Sequence, residues 1–298
     1  MASLFGRMRW GSVTAGLLAA LLLAPSGPAL AQTAQGIATT RHNLGSAGTA
    51  NRASDTAEIC VFCHTPHGGA TTTAVPLWNK RLATLGPAGG GSYNTYDTLQ
   101  LPSLDGTVAP VGSVSMACLS CHDGTQAMDN VINAPGSGGY AADGGGNDGR
   151  AYSWTGATVD TATGRMTNAG DRISMLGTDL SNDHPIGIQY CGGGLTGAGV
   201  TVSGTCRDSD FVQPQTQVIN SNQVFWVETG GTGKQRTDMP LYTRTTGGLG
   251  PMVECGSCHD PHVSTGQAGP AGTGQTAGET FLRVSNANSA VCQACHVK

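Results

Sequence analysis

The sequence predicts a mostly irregular, loop-rich fold, with short helices at four repeated cysteine motifs and a small β-bearing insertion between the second and third. Three observations predict it. First, 46 Gly and 14 Pro among 298 residues interrupt the backbone too often for long helices. Second, aromatic residues make up only 5% of the chain, and its large aliphatic side chains are too few to fill one or two ordinary cores. Apolar volume must come from something other than side chains. Third, eight of the 10 cysteines fall in four copies of one five-residue pattern.

Charge removes one class of function at once. With 15 Lys+Arg against 19 Asp+Glu and a formal net charge of −4, there is no basic surplus to neutralise phosphates, so no nucleic-acid partner is expected.

The first element, 1–31, reads as a secretory signal peptide. Arg7 and Arg9 form a positive start, Val13 to Leu23 is an apolar run, and Ala29-Leu30-Ala31 is a small-x-small cleavage site. The mature chain is expected to begin at Gln32. A retained anchor would need roughly 20 apolar residues, and this run is shorter, with Pro25 and Pro28 breaking the segment after it. No later stretch is apolar enough to span a bilayer, so an exported product without a membrane span is expected.

The second element, 32–130, holds His42 and the motifs Cys60-Val-Phe-Cys63-His64 and Cys118-Leu-Ser-Cys121-His122. The last element, 251–298, holds Cys255-Gly-Ser-Cys258-His259 and Cys292-Gln-Ala-Cys295-His296. This CxxCH pattern is the c-type haem attachment signature. Two thiols one helical turn apart match the two vinyl groups on one porphyrin edge, and the His after them reaches under the ring to iron. Zinc ribbons need paired knuckles at a regular separation. Here the first cysteines are 58, 137 and 37 residues apart, and zinc gives no reason for a His after every second Cys. Four CxxC disulfides would also leave those histidines unexplained. Four covalently attached haem c groups are expected, and their faces would supply the missing apolar volume.

Of the 8 His, four are proximal ligands, which leaves His42, His67, His184 and His262, one per iron. Bis-His ligation throughout is the expectation; Met ligation competes, but no Met recurs at a fixed place relative to the motifs. His67 comes three residues after His64, and His262 three after His259. Residues three apart on a helix have Cβ atoms about 5–6 Å apart, too close to ligate opposite faces of one iron. Each of these two must therefore serve a different haem from its neighbour, which brings haems into contact. Pro66, Pro185 and Pro261 lie beside distal candidates and fix the local backbone.

Helix starts are expected at an Asp55/Glu58 capping box, at Ser113, at Pro251 and at Asn288. The middle element, 131–250, holds no motif. Its 134–149 stretch reads as a Gly-rich loop, and VTVS at 200–203, 211–220 and 223–229 read as strands. Cys191 and Cys206 are expected to form a disulfide across a Gly-rich loop, and His184 to reach the haem array. No HExxH, GxSxG or phosphate-binding loop is present, and Asp143 and Asp148 read as solvated loop residues.

The segments RHNLG (41–45), ICVFCHTPH (59–67), PLWN (76–79), CLSCHDGT (118–125), DLSNDHPIG (179–187), CGSCHDPH (255–262) and FLRVSNANSAVCQACH (281–296) occur in this order. Together they resemble the tetrahaem, filament-forming cytochromes of the outer-membrane cytochrome E type, the extracellular cytochrome nanowires. The resemblance implies a multihaem c-type cytochrome wrapped around four stacked bis-His haems and polymerised head to tail, with one axial His from the neighbouring subunit. Gly45 departs from the family's pattern, where Ser is expected, without removing a ligand. The expected function is electron transfer rather than enzymatic catalysis, with other cytochromes or extracellular acceptors as partners and an extracellular or cell-surface location. A soluble periplasmic shuttle and a multihaem oxyanion reductase are the alternatives; the reductase would need an open iron position. For the junction between subunits, exposed-end geometry favours His67 over His42.

Overall fold

The computed structural model describes residues 35–82, 93–134, 139–140, 149–168, 174–195, 204–231, 233–244, 250–264, 281–284 and 286–297. The expected signal peptide, most of the 134–149 loop and the VTVS strand lie outside these residues.

Regular structure is sparse, as so much Gly and Pro requires. In chain order the strands are β1 Gln35–Gly36, β2 Arg52–Ala53, β3 Trp154–Thr155, β4 Ile188–Gln189, β5 Gln215–Ile219, β6 Asn222–Val227, β7 Met239–Leu241, β8 Met252–Val253 and β9 Val263–Ser264. They form three two-stranded antiparallel pairs, β1 with β9, β2 with β3 and β4 with β8, and one three-stranded sheet in the order β5-β6-β7. The β5–β6 hairpin turns through Asn220 and Ser221, both at positive φ (48° and 62°). A two-residue turn matching the twist of its strands needs positive φ at both positions, and Asn accepts that conformation readily. Each short pair ties distant segments, so the chain is held by many small clasps.

Helical turns stand at all four motifs. The first is a single 3-10 turn, Cys60–Phe62; the others are α1 Ser113–His122, α2 Cys255–Cys258 and α3 Ala290–Gln293. The expected caps are corrected. Asp55 accepts the Ser153 N–H instead of opening the first turn. Ser113 is the first helical residue behind Gly112, and its hydroxyl takes the Ala74 N–H. Pro251 precedes β8, and α2 is opened by Glu254 in a reciprocal cap with Ser257. Ser289, not Asn288, precedes α3. For Asp55 and Ser113 a partner far along the chain outbids the local cap, because loops without regular pairing must satisfy their backbone groups wherever they can.

Three small apolar clusters replace one core, and each abuts motif cysteines. Leu44, Ala53, Phe62, Met128, Trp154 and Val159 pack against Val61 and Cys121. Trp78, Leu82 and Ala117 pack against Cys63 and Met116. The largest, around Tyr190, Phe225, Val227, Met239 and Leu241, meets Cys258 and Cys295. Cys191 and Cys206 are joined in a disulfide whose Cα atoms are 5.3 Å apart, and Cys191 is buried in this last cluster. The middle element thus delivers the apolar wall against which the third and fourth motifs rest.

Candidate cofactor site

The eight motif cysteines are free thiols, and they run in a connected series. Cys63 of the first motif lies within electrostatic range of Cys121 of the second. The thiols of Cys118 and Cys255 hydrogen-bond, joining second to third, where α1 also packs on α2. Cys258 is within range of Cys292 and Cys295, joining third to fourth. Burial pushes the thiols of Cys63 and Cys295 up to about 12 and that of Cys258 to about 11.

The histidines are held at one nitrogen. Nδ1 of His64 lies 2.8 Å from the Pro76 carbonyl, that of His122 2.6 Å from Ser174 O, that of His42 3.2 Å from Pro261 O, and that of His184 3.0 Å from Pro185 O. A carbonyl only accepts, so each Nδ1 carries the proton and donates. That assignment leaves Nε2 with its lone pair, the tautomer a metal-ligating imidazole needs, and such outer partners orient the ring. His262 Nδ1 instead meets Asp260 Oδ1 at 3.1 Å. Pro185 therefore contributes a carbonyl to His184 as well as stiffness, and Pro261, beside His262, gives its carbonyl to His42.

Burial and neighbouring charge keep several of these rings neutral. Desolvation lowers His42 to about 4, and the nearby His122 adds to the effect. Burial likewise lowers His122 and His184. His262 moves the other way, raised chiefly by its hydrogen bond to Asp260.

Pairs of histidines face each other. The His64 and His262 ring centroids are 6.0 Å apart with planes inclined by 18°, and those of His42 and His122 are 6.1 Å apart at 80°. His184 lies within electrostatic range of His296. Two imidazoles bound on opposite sides of one iron, each metal–nitrogen bond being roughly 2 Å, place their ring centroids roughly 6 Å apart. The first two pairs have that spacing. A cleft of about 370 Å³ opens beside Cys60 and His64, lined also by Thr65, Pro66 and His67, so the first cysteine and the histidine of the first motif share one cavity. These residues fit a covalently held haem.

His67 differs from the other distal candidates. It is exposed, and its ring makes no hydrogen bond, ion pair or ring contact with the described residues; only its carbonyl is engaged, by Thr65 and Asn133. Among the described residues no group of three or more His, Cys, Asp or Glu gathers in the manner of a metal cluster.

Sequence reasoning misses the rings that brace the histidines: Phe281 stacks on His42 at 4.1 Å, Trp78 meets His64 edge-on at 5.7 Å, and Phe211 lies 4.4 Å from His296. It also misses the buried carboxylate of Glu254 between α1 and α2, which accepts from Ser115 Oγ at 2.5 Å and pairs with Arg244. No periodicity announces such partners in loops, although PLWN and FLRV carry Trp78 and Phe281 within conspicuous segments. No protein-family model matches the chain, and comparison with curated proteins finds no match. Among the described residues, no helix is long and apolar enough to cross a membrane.

Proposed function

We propose that the chain is a tetrahaem c-type electron-transfer protein, exported and polymerised head to tail into an extracellular filament. The observation that carries the electron-transfer reading is the pairing of His64 with His262 and of His42 with His122 at 6.0 and 6.1 Å, with Nδ1 of each engaged by the protein. Haem, when bound, supplies a one-electron centre. The chain's own residues do the rest. Cys60 and Cys63, Cys118 and Cys121, Cys255 and Cys258, and Cys292 and Cys295 anchor the four groups in series. His64, His122, His259 and His296 would hold the irons as the motifs' own ligands, and His42, His67, His184 and His262 would supply the second imidazole of each. Ligation by two imidazoles leaves iron no open position for a substrate, which separates a conduit from a reductase. Close packing of successive motifs would keep each hop short, and the buried rings of Phe62, Trp78 and Tyr190 pack beside motif cysteines. The filament rests on the family resemblance together with the exposed, unengaged His67 ring.

The test is direct. Mass spectrometry of the secreted protein is expected to show the mature polypeptide plus four haems, with a low-spin spectrum and no CO binding by the reduced protein at neutral pH. Electron microscopy of the same material is expected to show filaments. Fewer than four haems, or a high-spin signal in the assembled protein, would overturn the conduit reading; monomers alone would move it to a soluble shuttle.

A further inference from the structure

The three-stranded sheet has one covered edge and one open edge. On the covered side Met239 and Leu241 of β7 are buried, and Tyr242 just after them bridges to Met252. On the open side every residue of β5, Gln215–Ile219, is exposed. The turn fixes which backbone groups of β5 point outward. Opposed residues of an antiparallel pair alternate between those that exchange both backbone hydrogen bonds and those that exchange neither. Ile219 and Asn222 close a two-residue turn and belong to the first kind, so Ile219, Gln217 and Gln215 bond to β6. Thr216 and Val218 therefore turn their N–H and C=O groups away from the sheet. Among the described residues no other backbone group bonds to them.

Folded proteins guard such an edge with a lysine, a proline or a bulge. β5 has none of these: its residues are Gln-Thr-Gln-Val-Ile, matched one to one with β6. Pro214 stands just before it, where a missing N–H ends any further pairing. From Phe211 to Val227 there is no Asp, Glu, Lys, Arg or His, whereas the chain as a whole carries a formal net charge of −4. Two copies of an acidic chain repel each other, and this neutral edge brings no like charges face to face when they meet. Val218, 40% exposed, puts a β-branched side chain on the same edge.

We propose that β5 is a self-association edge, which takes β5 of a second copy as its antiparallel neighbour with the two-fold axis at Gln217. That register is the one in which the free groups match. Thr216 then lies opposite Val218 of the partner subunit and exchanges both backbone hydrogen bonds with it, and the axis repeats the exchange on the other side. Thr216 and Val218 also place β-branched side chains beside each other across the axis. The two sheets become one. Such a contact is isologous and closes on itself, unlike a head-to-tail junction, so it joins two chains side by side and, in a polymer, two filaments. It depends on neither haem nor the bridging histidine.

The experiment uses the full secreted protein with Q217C and Q215C, both at exposed positions on one face of the strand. Around the proposed axis the two Gln217 residues form a pair without mutual hydrogen bonds, with Cα atoms about 4.5 Å apart, within the roughly 4.4–6.8 Å that a disulfide spans. The two Gln215 positions are offset by about 13 Å along the strands at roughly 3.3 Å per residue, beyond a disulfide's reach. Under mild oxidation Q217C is expected to run as a species of twice the chain mass on a non-reducing gel, and Q215C several-fold less so. Adding V218K to Q217C, which places a charge on the edge, should lower the yield several-fold, whereas V218T, which stays β-branched, should keep it. Equal linkage of Q217C and Q215C, no linkage of either, linkage to a different protein, or a yield that V218K leaves unchanged would each overturn the proposal.

Discussion

The imidazoles of His64 and His262 stand 6.0 Å apart, centre to centre, with their planes within 18° of parallel, although one closes the first motif and the other lies three residues past the third. That distance lies within the range of offset-stacked rings and also matches the gap that a single metal ion held by two imidazoles would require. Spacing along the chain means that His262 would have to look elsewhere than an iron held by His259, since residues three apart cannot reach opposite faces of one haem. His262 is therefore the point at which the third motif's segment reaches into the first site, and Asp260 holds its Nδ1 in place.

H262A is accordingly expected to keep four haems and to lose one axial ligand. Its reduced form should bind one CO per chain, with a high-spin component in the optical spectrum that the unaltered protein lacks. An unchanged low-spin spectrum would assign His64 a different partner. H42A is expected to give the same signature at the second site, since its ring faces His122 at 6.1 Å.

The disulfide should behave as a local staple. Cys191 sits in the cluster that Cys258 and Cys295 touch, while Cys206 closes the loop from its edge. Replacing both with Ser is expected to leave four haems attached and to cost about 2–4 kcal/mol in stability. Limited proteolysis should then cut faster between residues 185 and 230. Loss of a haem would show that one of these cysteines takes part in attachment.

Glu254 binds the second motif's helix to the third's. Its carboxylate is 1% exposed, accepts from Ser115 Oγ and Arg244, and closes the reciprocal cap on α2 with Ser257. E254A would strand the Arg244 guanidinium and the Ser115 hydroxyl, and breaking a buried pair from one side costs about 3–5 kcal/mol. A lower denaturation midpoint for E254A, with E254Q in between because an amide still accepts hydrogen bonds, is the expected result. Equal midpoints for all three proteins would remove Glu254 from the list of structural supports.

Legibility in the sequence differs from feature to feature, according to the forces each depends on. The motifs and the disulfide are readable because cysteine spacing is covalent chemistry and does not depend on packing. The strands at 215–219 and 222–227 are readable because β-rich residues there flank a turn. The caps are not: Asp55, Ser113 and Asn288 look like helix starts, yet Asp55 and Ser113 answer to Ser153 and Ala74 across the fold. In a chain with little regular pairing, a polar side chain is claimed by whichever distant backbone group needs it, and local sequence carries no trace of that group. The anchors of the histidine rings are hidden for the same reason, since four of them are backbone carbonyls.

The junction between subunits turns on His67 and His42. Both are candidates by sequence, one in the first motif's CHTPH segment and the other near the N-terminus. In the fold they part: His42 donates to Pro261 O, stacks on Phe281 and faces His122, so it is committed within its own chain. His67 is exposed beside the first cleft with its ring unengaged by the described residues. A ligand projecting from one subunit into the next makes a head-to-tail contact that does not close, and such contacts propagate as filaments. H67A is therefore expected to be secreted with four haems, to remain monomeric in electron micrographs, and to carry one high-spin iron that binds CO on reduction. Added imidazole should restore the low-spin spectrum without restoring filaments, because it replaces the ligand but not the link between subunits. Intact filaments from H67A would remove His67 from the junction.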